Sequence, residues 1–193
     1  MTTSKRKLQT VETRKRIINS VKLLLSTTDI KDIKIRDICK KADVSVGTFY
    51  VYFSCKEEAI LYIYRECDQD FEALDLTDDI MSNISSILRT YFEMVTLDDM
   101  LLVRHVYICH LTYYDSYFFD ENRILFQLLN HQLYLLTKRN DTKDITWQVL
   151  DYSRGCIYNL CIRFDANITG WVEKQVNQTC NYIQFLISQS AEK

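Results

Sequence analysis

The chain has 193 residues, 47% hydrophobic and 26% charged, with no proline, three glycines and a formal net charge of −2. This composition excludes a disordered or collagen-like chain and favours long uninterrupted helices over sheet. No apolar stretch is long enough to span a bilayer, and the opening MTTSKRKLQT lacks the apolar run of a signal peptide, so a soluble, cytoplasmic protein without membrane association is expected.

In chain order, a first helix is predicted from about Thr10 to Ser26, with Val11, Ile17, Ile18, Val21, Leu24 and Leu25 on its buried side and Arg14, Lys15 and Arg16 near its start. Ile35, Ile38, Cys39 and Ala42 then fall at i, i+3, i+4 and i+7, one buried stripe on a helix of two turns. Asp43 ends it, since Asp tolerates the left-handed backbone of a tight turn, and Val44 plugs back into the core. Ser45 offers an oxygen to the free amides of a third helix, Val46 to Tyr52, whose Phe49 faces inward with Phe53. Gly47, Thr48, Val51 and Tyr52 are left pointing outward. Ser54-Cys55-Lys56-Glu57 supplies a capping box for a fourth helix reaching about Leu74, and Lys56 puts a cation beside its free amides. Further helices are expected from Thr77, from Asp99 to Tyr114, from Asp120 to Lys138, from Ile145 to Asp165 and from Trp171 to Ser188. The fold expected is all-α, about nine helices.

Charge separates the two ends of the chain. Residues 1–56 hold 13 Lys or Arg against 5 Asp or Glu, a net of +8, whereas residues 57–193 hold 11 against 21, a net of −10. A basic helix-turn-helix head on an acidic body is the footprint of a nucleic-acid-binding module joined to a ligand- or partner-binding one. Nothing resembles a nucleophile elbow, a phosphate loop or a metal-hydrolase pair, so no enzyme, catalytic residue or cofactor is expected.

The run Ser45, Val46-Gly47, Thr48, Phe49-Tyr50, Val51, Tyr52, Phe53, Ser54-Cys55, Lys56 resembles the recognition-helix signature of TetR-family transcriptional regulators. The resemblance covers about Thr10 to Ile63, with two departures: Lys34 stands where Thr is frequent, and Asp43 where Gly is usual in the turn. It implies a helix-turn-helix DNA-binding domain over residues 1–55 and a helical ligand-binding and dimerisation domain over residues 56–193. Phosphate contacts are expected from Thr48, Tyr50, Tyr52 and Lys56, with Arg14 and Lys34. Val46, Gly47 and Thr48, after the capping Ser45, would face bases of a double-stranded palindromic operator.

The resemblance further implies a homodimer through the last two helices, with Val149, Ser153, Cys156, Ile157, Leu160 and Phe164 on one and Val172, Val176, Cys180, Ile183 and Ile187 on the other. It also implies an inducer pocket in the body. There the aromatic load points to a small aromatic or amphipathic ligand lined by Tyr91, Tyr107, Tyr114, Phe126, Trp147 and Tyr152. Repression relieved by that ligand is the expected mode of action. Metal, haem or thiol sensing is the alternative within the same fold: His105 and Cys109 stand at i, i+4, followed by His110, with His131 on the next helix and Cys55 at a helix start. No CxxC or HExxH pattern supports a metal, and none is expected. The other cysteines Cys39, Cys156, Cys161 and Cys180 lie in apolar helical segments, where thiols serve as small hydrophobes.

Overall fold

The computed structural model describes residues 2–97, 100–163 and 168–190, and every regular element in them is helical. Ten α-helices run as α1 (Thr2–Leu25), α2 (Ile35–Ala42), α3 (Val46–Tyr52), α4 (Lys56–Glu66), α5 (Asp68–Glu72), α6 (Ile80–Leu97), α7 (Met100–Thr112), α8 (Ile124–Thr137), α9 (Thr142–Ile162) and α10 (Trp171–Ser190), with a 3-10 helix at Ser116–Phe119. The all-α expectation holds. Boundaries move: α1 begins near the start of the chain rather than at Thr10, the long fourth helix is divided at Cys67 into α4 and α5, and α6, α8 and α9 begin at Ile80, Ile124 and Thr142 rather than at Thr77, Asp120 and Ile145.

The chain forms two compact units, residues 1–66 with 101–115, and residues 67–100 with 116–193. In the first, Ile17, Ile18, Val21 and Leu25 of α1 meet Ile38, Cys39 and Ala42 of α2, Phe49 of α3 and Ala59, Ile60, Leu61 and Ile63 of α4. Leu102, Val106 and Cys109 of α7 join the same core. The i, i+3, i+4 spacing read from the sequence is what delivers these side chains to one side of each helix.

Local chemistry fixes the ends of these helices. The Asp37 carboxylate accepts from the Lys34 amide at 3.3 Å at the start of α2. Asp43 closes α2 in the left-handed region at φ 53, and the Val44 amide reaches back to the Cys39 carbonyl at 3.0 Å. At α4 the cap is shifted one residue from the expected box. The Cys55 thiol accepts from the Glu58 amide, and Glu58, not Glu57, bonds the Ser54 amide and hydroxyl at 2.6 and 2.8 Å.

In the second unit α6, α8, α9 and α10 pack around Ile84, Ile87, Leu88, Tyr91, Phe92, Leu125, Phe126, Leu129, Leu133, Val149 and Ile183. Asp79 caps α6 through the amides of Met81 and Ser82. Gly170, at φ 69, occupies a backbone conformation that L side chains rarely adopt and lets the chain turn directly into α10. Asp68 explains where the expected fourth helix breaks: its buried carboxylate takes Arg123 Nη2 at 2.7 Å, Arg123 Nε at 3.2 Å and the Tyr117 hydroxyl. With burial the largest cause and that short bond to Asp68 the next, the Tyr117 phenol titrates well above its ordinary value.

The residues expected to meet a second chain divide by burial. Val149, Ser153, Ile157, Leu160, Val176 and Ile183 are buried within their own chain, with at most 3% of their surface left, so they are core residues of this unit. Cys156, Val172, Cys180 and Ile187 are half-buried, and Phe164 lies outside the described residues. Periodicity identified the inward face of each helix correctly, but an inward stripe looks the same whether it meets its own chain or another.

Candidate nucleic-acid interface

Ser45 opens α3 in extended backbone, its hydroxyl accepting from the Thr48 amide at 2.9 Å and lying 2.8 Å from the Thr48 hydroxyl. Phe49 and Phe53 anchor the helix from beneath, their rings 5.8 Å apart and both buried, and Phe53 meets the Tyr62 ring of α4 edge-on at 5.7 Å. With that face committed to the core, Val46, Gly47, Tyr50 and Val51 project outward, Tyr50 54% and Val51 79% exposed. An exposed valine and tyrosine on a two-turn helix gain nothing for the fold, whereas apolar and hydroxyl groups at this position suit the edges of bases and phosphates.

Gly47 adds to this reading. A Cβ placed there would come no nearer than 3.7 Å to any neighbour, the Ser45 hydroxyl. The fold does not require glycine, and its lack of a side chain leaves the backbone open to close approach by a groove. Lys34, Arg36, Lys40 and Lys41 are exposed on and beside α2. Together with Lys15 and Arg16 on α1 they give the head a positive surface.

Two of the expected phosphate ligands are used inside the head. The Lys56 ammonium donates to the Ile30 carbonyl at 2.5 Å and to the Ile33 carbonyl at 2.9 Å, tying the start of α4 to the loop before α2. Two of its three protons are thereby taken. Arg14 turns toward α4, with Nη1 donating to the Tyr62 hydroxyl at 3.2 Å and the guanidinium over the rings of Tyr62 and Tyr52 at 5.1 and 5.7 Å. Thr48 and Tyr52 are half-buried. Sequence spacing could not show that Arg14 and Lys56 point inward, since their partners lie 48 and 26 residues away. Val51 and Arg36 were absent from the expected contacts, although helical phase marks Val51 as outward.

The six residues expected to line an inducer pocket fall in different surroundings. Tyr107 and Tyr114 belong to the first unit, Tyr114 being 78% exposed. Tyr91 and Phe126 are buried in the second, where Phe126 lies 4.8 Å from the Trp147 ring. Tyr152 stacks on Tyr182 at 4.8 Å between α9 and α10. Two clefts lie within the units. One, of about 300 Å³, is lined by Ser26, Thr27, Thr28, Asp29, Leu101, Arg104, His105 and Ile108, and the other, of about 340 Å³, lies around Arg139, Asp144 and Gln148; none of the six lines either.

For the sensing alternative, His105 and Cys109 are both buried on α7, and His131 is exposed on α8. Among the described residues no group of three His, Cys, Asp or Glu side chains is placed to hold a metal ion. Burial, with the Glu57 carboxylate next, pushes the Cys109 thiol up to about 12. Cys55 serves as the cap of α4.

Comparison with known proteins agrees with this geometry. Residues 23–63 match the family model described as bacterial regulatory proteins, tetR family. No curated protein matches the sequence. Among solved structures, a TetR transcriptional regulator from Rhodococcus sp. RHA1 is similar with a TM-score of 0.65 at 12% identity, covering 88% of this chain and 96% of that one. Among the described residues no helix is long and apolar enough to cross a membrane. The helix-turn-helix of α2 and α3 thus lies within the segment that matches the tetR family model, and the fold of the chain is similar to that of a TetR transcriptional regulator.

Proposed function

We propose that this protein is a homodimeric, ligand-controlled transcriptional repressor without enzymatic activity, acting in the cytoplasm on a palindromic operator. The DNA-binding domain spans residues 1–55, and the ligand-binding and dimerisation domain residues 56–193. The observation that carries the reading is the outward face of α3, where Val46, Gly47, Tyr50 and Val51 stand free on a helix held from beneath by Phe49 and Phe53. Ser45 and Thr48 set the start of that helix, Lys34 adds an exposed cation, Arg14 of α1 packs on the Tyr52 ring at its end, and Lys56 ties α4 to the loop before α2.

Dimerisation is supported by the outer face of α9 and α10. Tyr152, Tyr182 and Phe185 form a stack with spacings of 4.8 and 6.5 Å, and Phe185, Tyr158 and Ile162 are 54%, 47% and 61% exposed. Half-buried Gly155 has nothing within 4 Å of where its Cβ would stand, so a second helix could approach there. Exposed apolar side chains on two adjacent helices fit a self-complementary contact across a two-fold axis, which would also present two α3 helices to a palindrome. A small aromatic or amphipathic inducer in the body would shift the heads, and a coupling of about 1–3 kcal/mol would weaken DNA binding roughly 5- to 150-fold.

Fluorescence anisotropy with duplex DNA tests this reading. Affinity is expected to fall steeply with salt, and Tyr50→Ala and Thr48→Ala are each expected to weaken binding by roughly 1–3 kcal/mol, Thr48→Ala altering sequence preference as well. Unchanged affinity in both variants would remove α3 from the DNA-contacting surface.

A further inference from the structure

Arg154 of α9 stands in a box of rings. Its guanidinium carbon lies 4.6 Å from the ring centre of Phe118, 5.3 Å from Phe119 and 5.4 Å from Trp147. Nη1 donates to Asp151 at 2.7 Å and Nη2 to the Phe118 carbonyl at 3.2 Å. Phe126 backs the Trp147 ring at 4.8 Å, and the indole N–H donates to Glu121 at 3.3 Å, so the box wall is braced. Its mouth reaches solvent, for Phe119 is 53% exposed and the Asp151 side chain 67%.

Three rings around one cation are an arrangement that recognises cations through their faces. The fit to arginine is incomplete, however. Arg154 Nε is buried with no hydrogen-bond partner, a desolvated N–H for which the box supplies no acceptor. A cation without N–H groups has no such penalty. Charge points the same way. With Arg154 in place its charge and that of Lys143 balance Asp151 and Glu121, whereas an outward swing of Arg154 would leave the box one negative charge, suited to a monocation.

We propose that Phe118, Phe119 and Trp147 form an aromatic cage for a quaternary organic cation, which Arg154 fills when no ligand is bound. The proposal rests on the reading of residues 56–193 as a ligand-binding domain and names the class of ligand. The alternative, that Arg154 merely fastens the 3-10 helix to α9, predicts no cation binding.

Benzyltrimethylammonium is the probe, with the uncharged neopentylbenzene as its isostere. Trp147 fluorescence is followed in full-length protein carrying Trp171→Phe, so that one indole reports. Arg154→Ala is expected to bind the cation roughly tenfold more tightly than the parent, with little response to the isostere, and Phe119→Ala added to Arg154→Ala is expected to abolish the gain. Equal affinity of parent and Arg154→Ala for the cation, or equal affinity for the isostere, would overturn the cage. If circular dichroism shows Arg154→Ala unfolded, Arg154→Gln carries the same comparison. Binding is read without DNA, and release of DNA is measured separately: a cation that binds but releases no DNA contradicts the regulatory reading and leaves the cage standing.

Discussion

At the scale of single residues, the head separates side chains that hold the recognition helix from those free to meet DNA. Gly47 is the sharpest case. Because a Cβ there would stand in ordinary contact, 3.7 Å from the Ser45 hydroxyl, Gly47→Ala is expected to keep or raise stability, by up to about 1 kcal/mol in thermal unfolding, while weakening DNA binding. A loss of stability would instead make the glycine structural. Lys56 behaves in the opposite way. Removing its ammonium leaves the Ile30 and Ile33 carbonyls without their charged donor, so Lys56→Ala is expected to cost about 1.5–3 kcal/mol by chemical denaturation. Cys109 gives a pH signature. Its thiol ionises at about 12 when folded against 9.0 ordinarily, so the unfolded chain loses that proton first as pH rises. Stability contributed by the buried thiol is complete below pH 9.0 and is lost progressively toward pH 12. Denaturation midpoints followed over that window are expected to fall less steeply in Cys109→Ala.

Between helices, two polar clusters matter more than their number of bonds. In the first unit a chain of contacts runs from Tyr52 at the end of α3 through Arg14 of α1 to Tyr62 and Arg65 of α4, and Arg65 pairs with Asp115 just beyond α7 at 2.8 Å. It joins α3 to α1, to α4 and to the segment after α7. Asp115→Ala is therefore expected to weaken DNA binding through Arg65 and Tyr62, and a double-mutant cycle with Tyr52→Phe or Tyr52→Ala measures the coupling. In the second unit Asp68 and Arg123 form a buried pair, their side chains 10% and 3% exposed. Asp68→Ala removes the carboxylate from the buried guanidinium and is expected to cost about 3–5 kcal/mol in denaturant unfolding.

These clusters also mark what sequence pattern could and could not supply. The α2–α3 turn was legible because each step is local: Asp43 in the left-handed region, Ser45 as cap, Phe49 and Phe53 four residues apart. The break at Cys67 was not, since Asp68 finds its partners 49 and 55 residues onward. Likewise Arg14 reads as a surface cation until Tyr62 is placed beside it.

Over the whole molecule, charge divides into a basic head, residues 1–56, and an acidic body, residues 57–193. The fold class and the helix-turn-helix could be read from caps, periodicity and one signature run. Which face of α9 and α10 would meet a second chain could not, because burial by the same chain and burial by a partner leave the same apolar stripe; only packing shows Val149 and Ile183 enclosed and Phe185 and Ile162 exposed. The claim that binds these observations together is sequence-specific recognition of a two-fold DNA site. Selection of bound duplexes from a randomised pool by the full-length protein tests it directly. Recognition by a two-fold protein yields an enriched inverted repeat; recovery of no common sequence, or of a single unrepeated half-site, would exclude it.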